Sequence, residues 1–342
     1  MSAAPASVDP VDAPLFLVGT MRSGTTLLRL ILDSHERLAL ADESGFLRAV
    51  AAAKAIPDQH DGPGWYRRYG VSDAEMDARL RTFYDDIFSA YARERGAARW
   101  GDKTPFHINH LRVLAQVFPD AQVVGIVRHP GAVVASQLRR GIEFPDALRH
   151  WRNQNARLLR AANRPDLRRR LAVLRYEDLV TTPEPVLRAL LEFLGEPWSP
   201  DLLRHHEVHR KRGAPRLAEG GTRTDRAIDA ERNARWATEL SAAQRRELAE
   251  VTAGLREVFC YGELEAEPLP GALLLRGPEL RRRRRAVGPS AVVRGPLPGA
   301  GESEPGPVAH LLRMVRTDPR YVVRRLPVVL RARRQGGADL DG

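Results

Sequence analysis

A glycine-containing turn near the amino terminus has the residue types and spacing of an anion-binding loop. In PLFLVGTMRSGTTLLRLILD, an apolar run ends at Gly19, four residues follow, and Gly24 precedes a helical pattern. A turn between a buried strand and a helix directs backbone N–H groups and the helix N-terminus at one point. Arg22 adds a guanidinium fork suited to phosphate or sulfate oxygens, and Thr25 and Thr26 place hydroxyls in the first helical turn. The stretch therefore predicts a site for an anionic group.

The loop lacks the lysine of nucleoside triphosphate-binding proteins. Their signature, G-x-x-x-x-G-K-[ST], requires Lys at position 25, where this chain has Thr25. The usual pairing of Lys with Ser or Thr around a β/γ-phosphate and Mg²⁺ is therefore missing. A nucleotide kinase or NTPase is a weaker interpretation, and a glycine turn that only caps a helix remains the structural alternative for this stretch alone.

The elements that must position the loop alternate between strands and helices. Continuous apolar runs, typical of strands buried on both faces, occur in PLFLVG, AQVVGIVRH and RLAVLRYEDL, and a helical pattern follows each. This alternation predicts an α/β fold, a P-loop-like three-layer sandwich with a central parallel sheet and ligands beyond the carboxyl ends of its strands. The segment 43–96 is mostly helical by pattern, and we expect it to cap the sheet and shape the acceptor side.

Charge divides the 342-residue chain into a nearly neutral body and a basic end. Residues 268–342 contain 15 Arg and 6 acidic residues, which leaves 39 basic and 37 acidic residues in the rest. The body therefore gives no indication of a nucleic-acid partner. We predict a flexible N-terminus over 1–13, one domain over 14–267 and a basic, partly disordered C-terminal tail over 268–342, with a linker near 286–307. The tail could contact a membrane surface or a nucleic acid, although Pro319 and Pro327 interrupt its apolar and Arg-rich last part, and a solvated or partner-docked tail is an equal alternative.

Composition excludes some classes of site and suggests a compartment. The single Cys260 cannot form an internal disulfide, and no Cys and His spacing resembles a zinc site. We expect no metal. The N-terminal stretch lacks the features of a secretory signal, and no run approaches the roughly 20 apolar residues of a membrane span. We expect a cytoplasmic protein, with peripheral membrane contact through its tail as the alternative.

Five segments together resemble sulfotransferases that use 3′-phosphoadenosine 5′-phosphosulfate (PAPS). TMRSGTTLLRLILDSHERLALADESGFL is similar to the loop that binds the 5′-phosphosulfate in the branch with an Arg-Ser-Gly-Thr-Thr core, which includes tyrosylprotein sulfotransferases and bacterial relatives. VRHPGAVVASQLRR resembles the motif for the 3′-phosphate. WGDKTPF, RYEDLV and RAIDAERNARW resemble three further family segments. The first two segments are specific, and each of the others would be weak alone.

The resemblance implies roles for particular residues. In the loop it implies donor binding by Arg22, Ser23, Gly24, Thr25 and Thr26. At the second anion site, Arg128 ends a buried strand, Ser136 follows on a helix and Arg140 lies one turn further, so their side chains could converge at the switch point of the sheet. It also implies that Tyr176 and Arg226 contact the nucleotide and that Lys103 stabilises charge on the leaving oxygen. The structural alternatives are a surface Arg128, a Ser136 that only packs, and a surface ion pair between Lys103 and Asp102.

The sequence offers more than one candidate for the proton acceptor. Small-molecule sulfotransferases have a Lys-Thr-His segment whose histidine is the base, but Pro105 follows Lys103-Thr104 here. In the tyrosylprotein branch the base is a glutamate 21 residues after the loop arginine, and Glu43 stands 21 residues after Arg22. The resemblance therefore implies Glu43 as the base. His107 and His35 are weaker candidates, and an ordinary first-turn acid beside a helix cap is the alternative for Glu43.

The sequence thus predicts a sulfotransferase that moves a sulfuryl group from PAPS to a hydroxyl or an amine. The acceptor could be a small molecule, a glycan, a lipid or a peptide, because acceptor pockets are built from the capping segment and not from the donor motifs. A non-catalytic nucleotide-binding relative stays possible at this point. A Glu43 that points away from the loop, or a Lys103 remote from it, would favour that alternative.

Overall fold

A computed structural model describes residues 13–58, 62–213, 226–228, 236–265 and 273–288. Within these ranges the strands are β1 (Leu15–Gly19), β2 (Leu38–Ala41), β3 (Pro57–Asp58), β4 (Gly62–Pro63), β5 (Arg99–Lys103), β6 (Gln122–Val127), β7 (Leu171–Arg175) and β8 (Leu275–Arg276). The main sheet has the order β2-β5-β1-β6-β7-β8. Its first five strands are parallel, and β8 pairs with β7 in the antiparallel direction.

Helices cover both faces of this sheet. The α-helices are α1 (Thr25–Leu32), α2 (Phe46–Ala55), α3 (Asp73–Glu94), α4 (Leu111–Val117), α5 (Pro130–Leu138), α6 (Phe144–Asn163), α7 (Pro165–Arg168), α8 (Tyr176–Thr181), α9 (Pro183–Leu194), α10 (His205–Lys211), α11 (Trp236–Glu239), α12 (Ala242–Val258) and α13 (Gly277–Val287). Short 3₁₀ helices span Trp65–Tyr69, Pro105–Asn109 and Pro200–Leu202. None of the helices in the described part of the chain has both the length and the apolar character of a bilayer span.

The central strand β1 shows why the apolar runs are continuous. Leu15 and Leu17 pack with residues of α1 and α9, whereas Phe16 and Val18 pack on the opposite side with residues of α4 and α6. Because successive side chains of a strand point to opposite faces, a strand covered on both faces must be apolar at every position. The predicted three-layer α/β fold is confirmed, with β1, β6 and β7 at the three predicted apolar runs.

Three strands of the main sheet, β2, β5 and β8, were not predicted. β5 has the sequence RWGDK, yet all five of its residues are buried between β1 and β2. Segment 43–96 is mostly helical, as expected, with α2 and α3 as its main elements and the small β3–β4 hairpin between them.

Residues 273–288 pack with the domain, although the sequence analysis assigns them to the basic tail. β8 extends the sheet beside β7, and Leu280 of α13 is fully buried in the core. The arginine run 281–285 is therefore part of a packed helix, because one face of that helix carries Leu280 to the core. We place 273–288 with the sheet domain. The predicted linker beyond residue 288, the C-terminal segment to residue 342 and residues 1–12 lie outside the described residues.

Candidate active site

Five parallel strands end at one edge of the sheet, and a residue assigned to the site stands at each end. These residues are Glu43 after β2, Lys103 at the end of β5, the Gly19–Gly24 loop after β1, Arg128 after β6 and Tyr176 after β7. The register places Leu17 beside Lys103 and Gly19 beside Ile126, so these strands end at similar heights. Ligands of open α/β sheets bind at this edge. The predicted residues therefore share one location.

The loop between β1 and α1 has a backbone that only particular residues allow. Gly24 has φ +98°, and a Cβ there would come within 2.9 Å of Cε2 of Tyr176 and closer still to Cδ2. Arg22 has φ +78°, a conformation that costs free energy for a residue with a side chain. The amide of Ser23 donates to the carbonyl of Thr20 at 3.0 Å and closes the turn. This strain is a feature of ligand-binding loops.

The groups that line the start of α1 fit an anion. The amides in the first turn of an α-helix have no intrahelical acceptor, and no acidic residue lies in the first turn of α1. The side chain of Ser23 is fully buried, and its Oγ has no hydrogen-bond partner within the described part of the chain. Thr25 is buried and Thr26 is half-buried beside it. These donors can bind sulfate or phosphate oxygens.

Arginines from two predicted motifs meet beside this loop. Arg22 Nε donates to Ser136 Oγ at 3.0 Å, and Arg128 Nη1 donates to the carbonyl of Arg22 at 3.4 Å. Burial, and then the charges of Arg140, Arg128 and Arg139, lower the pKa of Arg22 to about 10. The site therefore holds a surplus of positive charge that a bound anion would stabilise.

Tyr176 connects the two anion-binding regions by packing. Its ring lies against Gly24 on one side, and the guanidinium of Arg128 stands 4.1 Å from the ring centroid. A cation over an aromatic face at this distance is a favourable contact. The indole Nε1 of Trp151 donates to the carbonyl of Arg128 at 2.9 Å and fixes the backbone there. Tyr176 thus supports the loop and orients Arg128.

The two residues assigned to catalysis contact each other. Lys103 Nζ donates to Glu43 Oε1 at 2.9 Å, with the lysine side chain fully buried and 39% of the glutamate side chain exposed. The lysine comes from the end of β5 and the glutamate from the segment after β2, strands that pair directly. The surface ion pair of Lys103 with Asp102 is therefore wrong, since Lys103 is buried and bonds Glu43. Glu43 is also not a first-turn acid of α2, because the N-cap of α2 is Gly45 and the helix begins at Phe46.

Hydrogen bonds to the buried residues Asp102 and Thr104 hold the Glu43 segment against β5. Thr104 Oγ1 donates to Asp102 Oδ1 at 2.6 Å and accepts from the amides of Ser44 at 3.1 Å and Gly45 at 3.3 Å. Ser44 Oγ donates to Asp102 Oδ2. We call Asp102, Thr104 and Ser44 the clamp. Sequence reasoning missed it, although the polar residues on both sides of Lys103 in GDKT were a signal.

The two histidine candidates lie in structural positions. His107 is 1% exposed, its Nε2 lies 3.4 Å from Asp102 Oδ1, and its ring packs against Phe16 and Phe46. His35 is equally buried, with Nε2 2.8 Å from the carbonyl of Pro197 and Nδ1 accepting from the amide of Arg37. A base must reach the acceptor, and both rings are enclosed by protein.

Two of the predicted nucleotide contacts lie at the margin of the site. Arg140 is exposed and stands two residues beyond the end of α5, near enough to Arg22 to affect its pKa. Arg226 is exposed in the short described stretch 226–228, between stretches that lie outside the described residues. Its approach to the donor stays a prediction.

Contacts from Glu177, Tyr261 and Trp236 support the turn that carries Arg128. The next residue, His129, donates its amide to Glu177 Oε1 at 3.0 Å, and the hydroxyl of Tyr261 donates to Glu177 Oε2 at 2.7 Å. The His129 ring stacks on Trp236 with centroids 4.7 Å apart. Burial raises the pKa of Glu177. Sequence reasoning missed these contacts because their partners are distant along the chain.

The fold and the site define an α/β protein that binds anions at the carboxyl edge of its sheet and holds a lysine–glutamate pair beside them. The model of the Sulfotransferase family matches residues 14–200, and the chain belongs to that family. It is therefore a transferase. The matched range includes every residue assigned to donor binding or catalysis except Arg226.

Named relatives agree with this family. Protein-tyrosine sulfotransferase 1 of Danio rerio is 29% identical over 256 residues, which are 70% of each chain. Protein-tyrosine sulfotransferase 2 of Gallus gallus is 29% identical over 224 residues, which are 63% of this chain but only 59% of that protein. The solved sulfotransferase domain from the curacin biosynthetic pathway is similar in fold, with a TM-score of 0.50, 20% identity, and coverage of 77% of this chain and 100% of that domain.

Proposed function

We propose that this sulfotransferase moves the sulfuryl group of PAPS to an acceptor hydroxyl or amine, with Glu43 as the general base. The observation that carries the proposal is the hydrogen bond of 2.9 Å between Lys103 Nζ and Glu43 Oε1. This bond joins Lys103, which is proposed to stabilise the leaving oxygen, to Glu43, which is proposed to take the proton of the acceptor. Their bond lies at the sheet edge that also carries the anion-binding loop.

PAPS has two separated anionic groups. The arginine cluster, formed by Arg22 and Arg128 with Arg140 at its margin, offers a place for each. The amides of the loop, Arg22, Thr25 and Thr26 suit the 5′-phosphosulfate, because they combine a helix N-terminus with a charged fork. Arg128 and Ser136 suit the 3′-phosphate, since they stand at the next strand and the helix after it. The bond between Arg22 and Ser136 makes the two regions continuous.

The chemistry requires alignment, charge stabilisation and one proton acceptor. PAPS supplies the sulfuryl group and a phosphate that leaves as the sulfur–oxygen bond to it breaks. Lys103 can donate to that leaving oxygen, and Arg22 can stabilise charge on the oxygens around the sulfur. Glu43 takes the proton of the acceptor as the new bond to sulfur forms. A carboxylate has two oxygens, so Glu43 can keep its bond to Lys103 through Oε1 while the other oxygen takes the proton.

A phenolic hydroxyl of a peptide tyrosine is the first acceptor class to test. The relatives named protein-tyrosine sulfotransferases favour it. An exposed face of Glu43 is consistent with a large acceptor, because 39% of the side chain is accessible beside a buried lysine. A glycan, a lipid or a small metabolite remains within the same proposal.

Particular residues argue against the two competing interpretations, a kinase and a non-catalytic relative. A kinase should have Lys in place of Thr25 and an acidic Mg²⁺ ligand at the end of a neighbouring strand, where this chain has Arg128. A non-catalytic relative should leave Glu43 or Lys103 apart from the loop. Instead Lys103 pairs in register with Leu17, two residues before Gly19, and bonds Glu43.

Thermal unfolding with nucleotides tests the donor. We expect 3′-phosphoadenosine 5′-phosphate to raise the melting temperature well above any shift from ATP, without a magnesium requirement, because only the former carries a 3′-phosphate. Equal stabilisation by Mg-ATP would contradict the proposal. Incubation with labelled PAPS and a host extract, followed by identification of the sulfated product, then defines the acceptor.

A further inference from the structure

Two arginine-rich segments, distant along the chain, form one basic face. Segment 157–170, at the end of α6 and through α7, contains six arginines and one acidic residue. Segment 276–285, which covers most of α13, contains six arginines and one acidic residue as well. Together they carry a surplus of +10, against a formal net charge of +11 for the whole protein. We call these two segments the basic face.

Packing of α13 on α6 and α7 brings the segments together. Gly277 lies against the carbonyl of Arg168, where a Cβ would collide, so glycine allows the close approach of the two helices. Leu280 is buried and anchors α13 to the core. Burial and the charge of Arg284 lower the pKa of Arg160, and burial with the charges of Arg168 and Arg285 lowers the pKa of Arg281. Charges from the two segments are thus close enough to repel.

The carboxylates of the basic face are already paired within their own segments. Asp166 lies 2.6 Å from Arg164 Nη2, and Glu279 lies 3.0 Å from Arg283 Nε. Within the described residues, no ion pair involves Arg281, Arg284 or Arg285. A cluster of like charges that the fold leaves without matching carboxylates costs stability unless an external anion compensates it.

The position of the basic face suits a docking role that is separate from catalysis. α6 ends and β7 begins at the amino edge of the parallel strands, and α13 starts there after β8. The donor loop and Glu43 lie at the opposite, carboxyl edge. A surface bound at the basic face would leave the site open to its substrates.

We propose that the basic face docks this protein on an anionic membrane surface. The basic face is complementary in charge to an extended anionic surface. The sequence that follows α13 favours a lipid surface over a nucleic acid. The described chain stops at Gly288, directly after α13, and residues 308–334 further on contain fourteen apolar residues and eight arginines but only one acidic residue. Apolar residues among arginines are typical of interfacial membrane segments, whereas phosphate binding by nucleic-acid proteins needs no apolar partner.

Sedimentation of the full chain with vesicles tests the proposal without any donor nucleotide, so its result is independent of the catalytic proposal. Vesicles of phosphatidylcholine with about 30% phosphatidylserine should bind the protein, pure phosphatidylcholine should not, and added salt should weaken binding. The triple variant Arg281→Gln, Arg284→Gln, Arg285→Gln keeps good helix formers and should bind about 100-fold more weakly, since each lost charge near an anionic surface counts.

A matched triple variant controls for net charge. Arg188→Gln, Arg204→Gln and Arg246→Gln remove three exposed arginines elsewhere on the domain and should bind almost as the wild type does. Equal loss in both triple variants would overturn the proposal, because net charge alone would then explain binding. Wild-type binding by the α13 variant, with loss in Arg324→Gln, Arg325→Gln, Arg331→Gln, would overturn it as well. Preference for a mixed-sequence RNA over the vesicles would identify a different partner.

Discussion

Replacement of Thr104 by valine tests whether the clamp positions Glu43. Valine has nearly the same shape but lacks Oγ1, which donates to Asp102 and accepts from the amides of Ser44 and Gly45. Thr104 is 4% exposed, so water cannot easily replace these bonds. The two bonds to amides contribute about 1 kcal/mol each and the bond to the carboxylate about 1.5–3 kcal/mol. Because Ser44 still donates to Asp102, we expect a net loss of about 3 kcal/mol in the free energy of unfolding.

We expect Thr104→Val to lower turnover much more than it lowers the affinity for the donor nucleotide. Glu43 directly precedes Ser44, so release of the Ser44 and Gly45 amides frees the carboxylate to move relative to Lys103. A misplacement of about 1 Å can lower turnover about 10²-fold. Urea unfolding gives the stability, and steady-state kinetics with labelled PAPS give kcat. The affinity for 3′-phosphoadenosine 5′-phosphate should change by no more than about twofold, because the clamp does not contact the arginine cluster.

Thr252→Val is the matched control for this variant. Thr252 is fully buried, donates to the carbonyl of Leu248 at 2.6 Å and accepts from Arg256 Nε at 3.1 Å. It should lower stability while leaving kcat of the folded enzyme unchanged. If Thr104→Val also keeps wild-type kcat, the clamp contributes only to folding, and the reasoning about Glu43 is refuted.

Three further predictions concern the walls of the site. Arg128→Ala should weaken binding of 3′-phosphoadenosine 5′-phosphate by about 1.5–3 kcal/mol in calorimetry, and wild-type affinity would show that the second anion site is misassigned. Gly24→Ala should lower the melting temperature and the donor affinity together, because its Cβ would collide with the ring of Tyr176 at φ +98°; an unchanged melting temperature would contradict this. Burial lowers the pKa of His129 from 6.5 to about 4. Between these pH values the unfolded chain binds a proton that the folded chain does not, so the wild type loses stability as the pH falls. In urea unfolding, His129→Gln should therefore lose about 3 kcal/mol less than the wild type between about pH 7 and pH 4. Equal pH dependence in both proteins would refute it.

The sequence predicts the parts of the fold whose burial is complete and apolar. β1, β6 and β7 are covered by helices on both faces, so their sequences are continuous apolar runs. β5 is just as buried but contains three charged residues. Arg99 reaches the carbonyl of Leu194 and Glu196, and Lys103 reaches Glu43. These partners are distant along the chain, and no local pattern indicates them.

The loop residues and Arg128 could be proposed from the sequence because they follow or end an apolar run of strand type. The loop requires a positive φ at Gly24, which the glycine of the motif indicates, whereas the positive φ of Arg22 is visible only in the structure. The clamp and the contacts of Glu177 with His129 and Tyr261 are different. Their residues are ordinary polar types whose significance comes from hydrogen bonds formed beside Lys103 and Arg128. The packing of α13 was not predicted either, because its one buried large apolar residue, Leu280, directly precedes the arginine run 281–285.

Sulfate transfer from labelled PAPS by the Glu43→Gln variant tests the central claim most directly. Glutamine keeps the shape and can still accept from Lys103, but it cannot take a proton, so turnover should fall by about 10²–10⁴-fold while donor affinity stays nearly unchanged. Arg22→Ala should instead lose donor affinity as well as turnover, because its charge meets the donor in the ground state. Glu184→Gln, which alters an ion-paired glutamate with 47% of its side chain exposed, is the control and should transfer sulfate normally. Near-normal turnover in Glu43→Gln would contradict the account, and loss of turnover in His107→Ala alongside it would identify His107 as the base.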